Sequence, residues 1–181
     1  MNRILFVLCA GFLISPAHAE FTGDVKLACE AILCLSTGQR PSECSPSIKR
    51  YFDIQKKKWS KTVSARRDFL NQCPEADADD NMRGLVNAIA NGAGQCDAAA
   101  LNVSSFVQSD NESYIANDYP THCDALYSHA YTDLSQYIPR YVGAPSRGGY
   151  WVEAKDYDKA KAEYDARIAA EDAANAWGGG T

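Results

Sequence analysis

Past residue 14 this chain has no apolar run long enough to cross a bilayer, which takes about 20 residues. It has no CxxC pair, and its histidines are only His18, His122 and His129. That scarcity excludes a zinc site of the usual spacing. His122 and His129 stand about 10 Å apart if they share a helix, too far to hold one ion together. Asp133 could join His129 only as a weak pair of ligands. Nucleotide motifs are missing as well. Gly92-Ala93-Gly94 lacks the later glycine of GxGxxG and the lysine of a P-loop, and no GxSxG serine elbow occurs. Nothing in the sequence calls for a metal or a cofactor.

What is present begins with Arg3 and eleven uncharged apolar residues, 4–14. Ser15-Pro16 breaks the run, and Ala17-His18-Ala19 sets small residues where signal peptidase needs them. Residues 1–19 therefore read as a secretory signal peptide, cleaved before Glu20. A membrane anchor is the rival reading, and eleven residues are too few for it. Cys9 follows Leu8 rather than a small residue, against a lipoprotein signal. The expected location is the periplasm, without stable membrane insertion.

Six cysteines remain after cleavage: Cys29, Cys34, Cys44, Cys73, Cys96 and Cys123. An even count in an exported chain reads as a disulfide framework. With the cysteines oxidised, no thiol is left to act as a nucleophile. Cys29 and Cys34, five residues apart on one predicted helix, point about 140° apart and cannot bond each other. Each must tie that helix to a different element. Six cysteines allow 15 connectivities and geometry removes only the Cys29–Cys34 bond, so spacing leaves the pairing open; the set taken as the expectation is Cys34–Cys44, Cys73–Cys96 and Cys29–Cys123.

Periodicity is helical nearly throughout, so the expected fold is all-α. It predicts a small disulfide-stapled helical domain over residues 20–138, a Gly/Pro linker over 139–151, and a charged C-terminal helix and tail over 152–181. Asp24 is the expected cap of a first helix carrying Val25, Ala28, Cys29, Ile32 and Leu33, stopped by Gly38. Ser45-Pro46 opens a second, with Ile48, Tyr51, Phe52 and Trp59 on its buried side. A third spans 60–73 with Val63, Phe69 and Leu70 inward. The acids of 75–80 favour the start of a fourth, striped by Met82, Leu85, Val86 and Ile89. A short helical turn over 96–101 follows. Residues 102–119 read as a long loop, and a helix runs from Pro120 to Tyr137. In the C-terminal helix, Tyr157, Ala160, Tyr164 and Ile168 form a thin stripe.

Charge is uneven. The mature chain carries a net −6, yet residues 46–67 hold Lys49, Arg50, Lys56, Lys57, Lys58, Lys61, Arg66 and Arg67 against the single acid Asp53. Such a stretch is either a solvated face or a contact for an acidic partner, anionic lipid or cell-wall polymer. Nucleic acid fits least, because the chain is acidic overall and bound for the outside of the cytoplasm. Glu30 is the one carboxylate set in an otherwise apolar helix. Burial there would raise its pKa, as a glycoside hydrolase acid requires; on the helix's polar side it is simply solvated.

Residues 28–47, ACEAILCLSTGQRPSECSPS, resemble the start of the TrbM/KikA family of conjugal transfer proteins. The resemblance continues through residues 65–74, ARRDFLNQCP, and 85–97, LVNAIANGAGQCD. It implies a plasmid-encoded exported protein that serves mating-pair formation beside a type IV secretion apparatus, with envelope proteins as partners. It supplies no catalytic residues. Three functions follow as alternatives: a non-enzymatic periplasmic accessory, a lysozyme-like peptidoglycan-cleaving enzyme, and a saposin-like lipid-binding module.

The leader and the cysteine count generate one direct test. Intact-mass measurement of the periplasmic protein is expected to show loss of the first 19 residues and of six hydrogens. A mass with free thiols would end the disulfide framework.

Overall fold

A computed structural model describes residues 22–109 and 112–178. The expected signal peptide and its cleavage site lie outside the described residues. Helices dominate: α1 (Gly23–Leu35), α2 (Ser45–Phe52), α3 (Trp59–Leu70), α4 (Asp80–Gly92), α5 (Ala98–Ser104), α6 (Thr121–Tyr127) and α7 (Tyr157–Gly178). Two short antiparallel hairpins interrupt them, β1 (Phe106–Gln108) with β2 (Ser113–Ile115) and β3 (Arg140–Val142) with β4 (Tyr150–Val152). The fold is therefore mostly helical rather than strictly all-α.

The main core gathers Ala28, Ala31, Ile32 and Leu35 of α1, Tyr51 of α2, Val63, Phe69 and Leu70 of α3, and Leu85, Val86 and Ile89 of α4. Most of the apolar stripe residues read from the sequence thus face one another, with Val25 half-buried outside this cluster and two further positions exposed. Leu33 of α1 is 70% exposed, and Trp59 opens α3 at 43% exposed instead of closing α2. Thr22 occupies the cap position of α1, one residue before its first turn. That leaves Asp24 free to take a two-pronged bond from Arg50, with Nε–Oδ1 at 3.1 Å and Nη2–Oδ2 at 2.6 Å. The Arg50 hydrogen bond holds the Asp24 carboxyl below the usual carboxylate range.

Three disulfides are formed: Cys29–Cys73, Cys34–Cys44 and Cys96–Cys123. The short-range pair matches expectation, and Cys29 and Cys34 do bond different elements. The other two expected pairs are wrong. The end of α3 returns to α1, so Cys73 lies with its Cα 4.9 Å from that of Cys29. Cys96 goes to Cys123 because α6 packs against the end of α4. A side chain at Gly92 would meet Leu126 and the His122 carbonyl at 2.9–3.2 Å. Each bridge contributes roughly 2–4 kcal/mol by restricting the unfolded chain.

The second half departs furthest from the sequence reading. The expected loop over 102–119 holds the last turn of α5 and the β1–β2 hairpin, with Phe106 opposite Ile115. The expected helix to Tyr137 stops at Tyr127. There the Thr132 hydroxyl lies 3.1 Å from the Leu126 carbonyl and 2.9 Å from that of His129, within reach of groups a continuing helix would pair. Leu134 still reaches the main core.

The expected linker over 139–151 is the β3–β4 hairpin, and it is packed. Trp151 is 5% exposed beside Cys96, Leu101 and Cys123, with Tyr119 and Tyr141 rings at 5.6 and 5.2 Å. Asn102 holds its backbone from both sides: Asn102 Nδ2 donates to the Trp151 carbonyl and Trp151 N donates to Asn102 Oδ1, each at 2.8 Å. Val142 and Val152 then bury Ala160 and Tyr164 of α7. Gly143 turns with φ +81°, and a side chain there would run into the Tyr164 ring. The first turns of α7 thus dock on the hairpin, while Trp177 is 91% exposed.

Replacing Trp151 by Ala is expected to destabilise the protein by about 3–5 kcal/mol, read as a shift of the urea midpoint. A loss under about 1 kcal/mol would restore a separate linker at 139–151.

Candidate functional site

The eight basic residues of 46–67 are not one face. Arg66 is 4% exposed inside the fold. Its guanidinium lies 4.7 Å over the Tyr51 ring, 5.2 Å over Phe52 and 5.4 Å over Trp59. It donates through Nε to the Ile54 carbonyl at 3.3 Å and through Nη1 to the Ala93 carbonyl at 3.5 Å. Carbonyls and ring faces solvate this charge in place of a carboxylate. Arg66 therefore leaves the partner-binding set. Arg50 is bound to Asp24 and stacks 4.9 Å over Phe69. Lys49 pairs with Asp53 at 2.5 Å, and Arg67 bonds Asn87 Oδ1 at 3.2 Å.

Lys56, Lys57, Lys58 and Lys61 remain. All four are exposed, and the ion pairs among the described residues involve none of them. They line an open hollow of about 480 Å³ together with Ser64, Ala65 and Asp68. The loop that carries Lys56, Lys57 and Lys58 is held from beneath. Lys56 N donates to the hydroxyl of buried Thr62 at 2.9 Å, while Arg66 takes the Ile54 carbonyl. Three like charges on that loop and a fourth on the first turn of α3 repel one another, so an anionic counterpart is favoured there.

A larger depression, about 710 Å³, lies between α4 and α6. Gly84, Ala88 and Gly92 let the two helices approach: a side chain at Gly84 would stand 3.1 Å from His129 Nε2. Asn81, Asn87 and Asn91 face the same groove. Asparagine costs up to ~0.7 kcal/mol and glycine ~1 kcal/mol against alanine inside a helix, so α4 gives up helix stability along this side. Sequence reasoning passed over these asparagines. The four-residue spacing of Asn87 and Asn91, which keeps them on one side of a helix, was the signal that could have found those two. His122 and His129 line the groove too. His129 Nδ1 accepts from Tyr131 N at 3.1 Å, which places its proton on Nε2.

Among the described residues, two clusters each bring three metal-ligating side chains together, Cys96, His122 and Cys123, and Cys29, Cys73 and Glu75. In each, both sulfurs are joined in a disulfide and one donor is left, too few for zinc. Glu30 sits on the surface of α1 with Lys26 Nζ 3.9 Å away. Asp133 is exposed and falls in neither cluster; its backbone N donates to the Ser36 carbonyl at 2.8 Å.

The TrbM family model matches residues 20–165. The chain belongs to the TrbM family of conjugal transfer proteins. No curated protein and no solved structure matches it. The family match contains all six bridged cysteines, the lysine hollow and the groove, and it ends inside α7, one residue past buried Tyr164.

Close helix contact at Gly92 gives a test of the groove's frame. Gly92→Ala is expected to lower stability by about 1–3 kcal/mol in urea unfolding, because Leu126 and the His122 carbonyl must move. A gain in stability, as helix propensity alone would give, would contradict that packing.

Proposed function

We propose that this protein is an exported accessory of plasmid conjugation, working in the periplasm by binding an acidic surface of an envelope protein. The observation that carries the reading is the fixed, unpaired cluster of Lys56, Lys57, Lys58 and Lys61. Family membership supplies the setting. Three disulfides suit an oxidising compartment, since cytosolic thiols are kept reduced. No helix among the described residues is long and apolar enough to cross a membrane.

The role is a binding one rather than a hydrolytic one. Glu30 stands beside a lysine on an outer helix face, and the α4–α6 groove offers the single carboxylate Asp124. Glycoside hydrolysis ordinarily uses two carboxylates flanking the scissile bond. The lipid-binding alternative relied on the apolar stripes, and those fill the core.

In a mating assay, Lys56, Lys57 and Lys58 reversed together to Glu are expected to lower transfer from donor cells and leave recipient ability unchanged. Their melting curve should stay within about 0.5 kcal/mol of the parent, since exposed charges contribute little to folding. Glu30→Gln is expected to be silent in the same assay. Normal transfer by the reversed variant would return the lysines to a solvated face. A stable Glu30→Gln protein without transfer would favour the wall-cleaving reading.

A further inference from the structure

A cavity of about 190 Å³ opens beside the end of α4. It shares no lining residue with the lysine hollow or the α4–α6 groove. One wall is the Gly92-Ala93-Gly94 run, which fits no nucleotide motif and leaves the space open because it has hardly any side chain. Leu35, Leu126 and Leu134 line it as well, and all three are buried in the main core, so the deep end is apolar. Arg40 and Asp97 are exposed, which puts the charged part of the lining at the open end. The other lining residues carry no charge.

Neither charge is matched inside the protein. Arg40 Nη1 donates to the Thr37 and Gln39 carbonyls, and Asp97 Oδ1 accepts from Ala100 N at 2.8 Å. The ion pairs among the described residues involve neither side chain, so the two do not reach each other. Packing takes water from the guanidinium and lowers its pKa from the ordinary arginine value, a shift that an anion beside it would oppose. The occupant that suits this lining has an apolar body and two opposite charges close together. An α-amino acid meets both demands: its carboxylate and ammonium sit on one carbon and can bridge an arginine and an aspartate that stand apart. The end of a polypeptide offers one of those charges and leaves the other residue unmatched. A fatty acid would bring its carboxylate up to Asp97 as well as to Arg40. An apolar cavity of about 150 Å³ takes up benzene, so this one admits a side chain of about leucine size.

We propose that the cavity beside Gly92-Ala93-Gly94 binds a free α-amino acid with an apolar side chain, its carboxylate on Arg40 and its ammonium on Asp97.

The test titrates the mature, disulfide-bonded chain, labelled at its leucine methyls, with three probes: L-leucine, isocaproate, which lacks the ammonium, and isoamylamine, which lacks the carboxylate. L-Leucine is expected to shift the methyl resonances of Leu35, Leu126 and Leu134 saturably, and each analogue is expected to bind about tenfold more weakly. Asp97→Asn keeps a capping oxygen for α5 and should weaken L-leucine about tenfold while binding isocaproate no more weakly than the parent does. Arg40→Gln should weaken L-leucine to the same extent and leave isoamylamine binding unchanged. The triple Lys-to-Glu variant should bind L-leucine normally, which separates this cavity from the lysine contact. No saturable shift of these methyls with L-leucine, or analogues that bind as tightly as L-leucine does, would overturn the proposal. So would an Asp97→Asn protein that binds L-leucine as the parent does.

Discussion

The guanidinium of Arg66 is enclosed by three aromatic rings and bonded to two main-chain carbonyls that no regular element pairs. Around this charge α2, the loop after it, the start of α3 and the segment after α4 meet. Burial pushes the hydroxyl of neighbouring Tyr51 up to about 12, against the pull of Arg66, and that hydroxyl donates to the Ile89 carbonyl at 2.8 Å. Removing the guanidinium would orphan the Ile54 and Ala93 carbonyls and open a gap between the rings. The same side chain fixes the base of the loop bearing Lys56, Lys57 and Lys58. One internal cation thus holds several external ones in place.

The rest of the molecule solves the problem of a modest core by linking three apolar clusters in series. The main cluster lies under α1 to α4, the second around Trp151, the third where α7 meets the β3–β4 hairpin. Two disulfides secure α1 within the first cluster, and Cys96–Cys123 joins the end of α4 to α6 where the first cluster gives way to the second. Small residues do related work: Gly84 and Gly92 set the α4–α6 distance, and that distance makes the groove.

The first half of the fold was legible because its helices are long enough to show a period. Leu85, Val86 and Ile89 could be assigned to the core from spacing alone, and they are buried. Cys34–Cys44 was legible because ten residues leave few ways to close a loop. The other pairings depend on which helices touch, and no local pattern records that. The hairpins were missed because three-residue strands are too short to show alternation; the polar 102–119 stretch read as a loop, and the glycines between β3 and β4 read equally well as a linker. The basic run was visible as charge, yet its separation into scaffold and surface was not. Arg66 and Lys61 look alike in the sequence; only the rings of Tyr51, Phe52 and Trp59 make one of them internal. The groove was hidden for the opposite reason, since asparagines in a helix register as weak propensity rather than as a site.

A basic surface held rigidly by a buried cation, on a disulfide-bonded member of a conjugal transfer family, is what an adaptor to an acidic partner requires. The most direct test is to place a photo-reactive amino acid at position 64, which lines the lysine hollow without being one of its lysines, and a second at position 166, on the exposed side of α7, and to irradiate conjugating donor cells. The account predicts a discrete adduct with one envelope protein from position 64 that is missing from position 166. No adduct from position 64, or the same adducts from both positions, would contradict it.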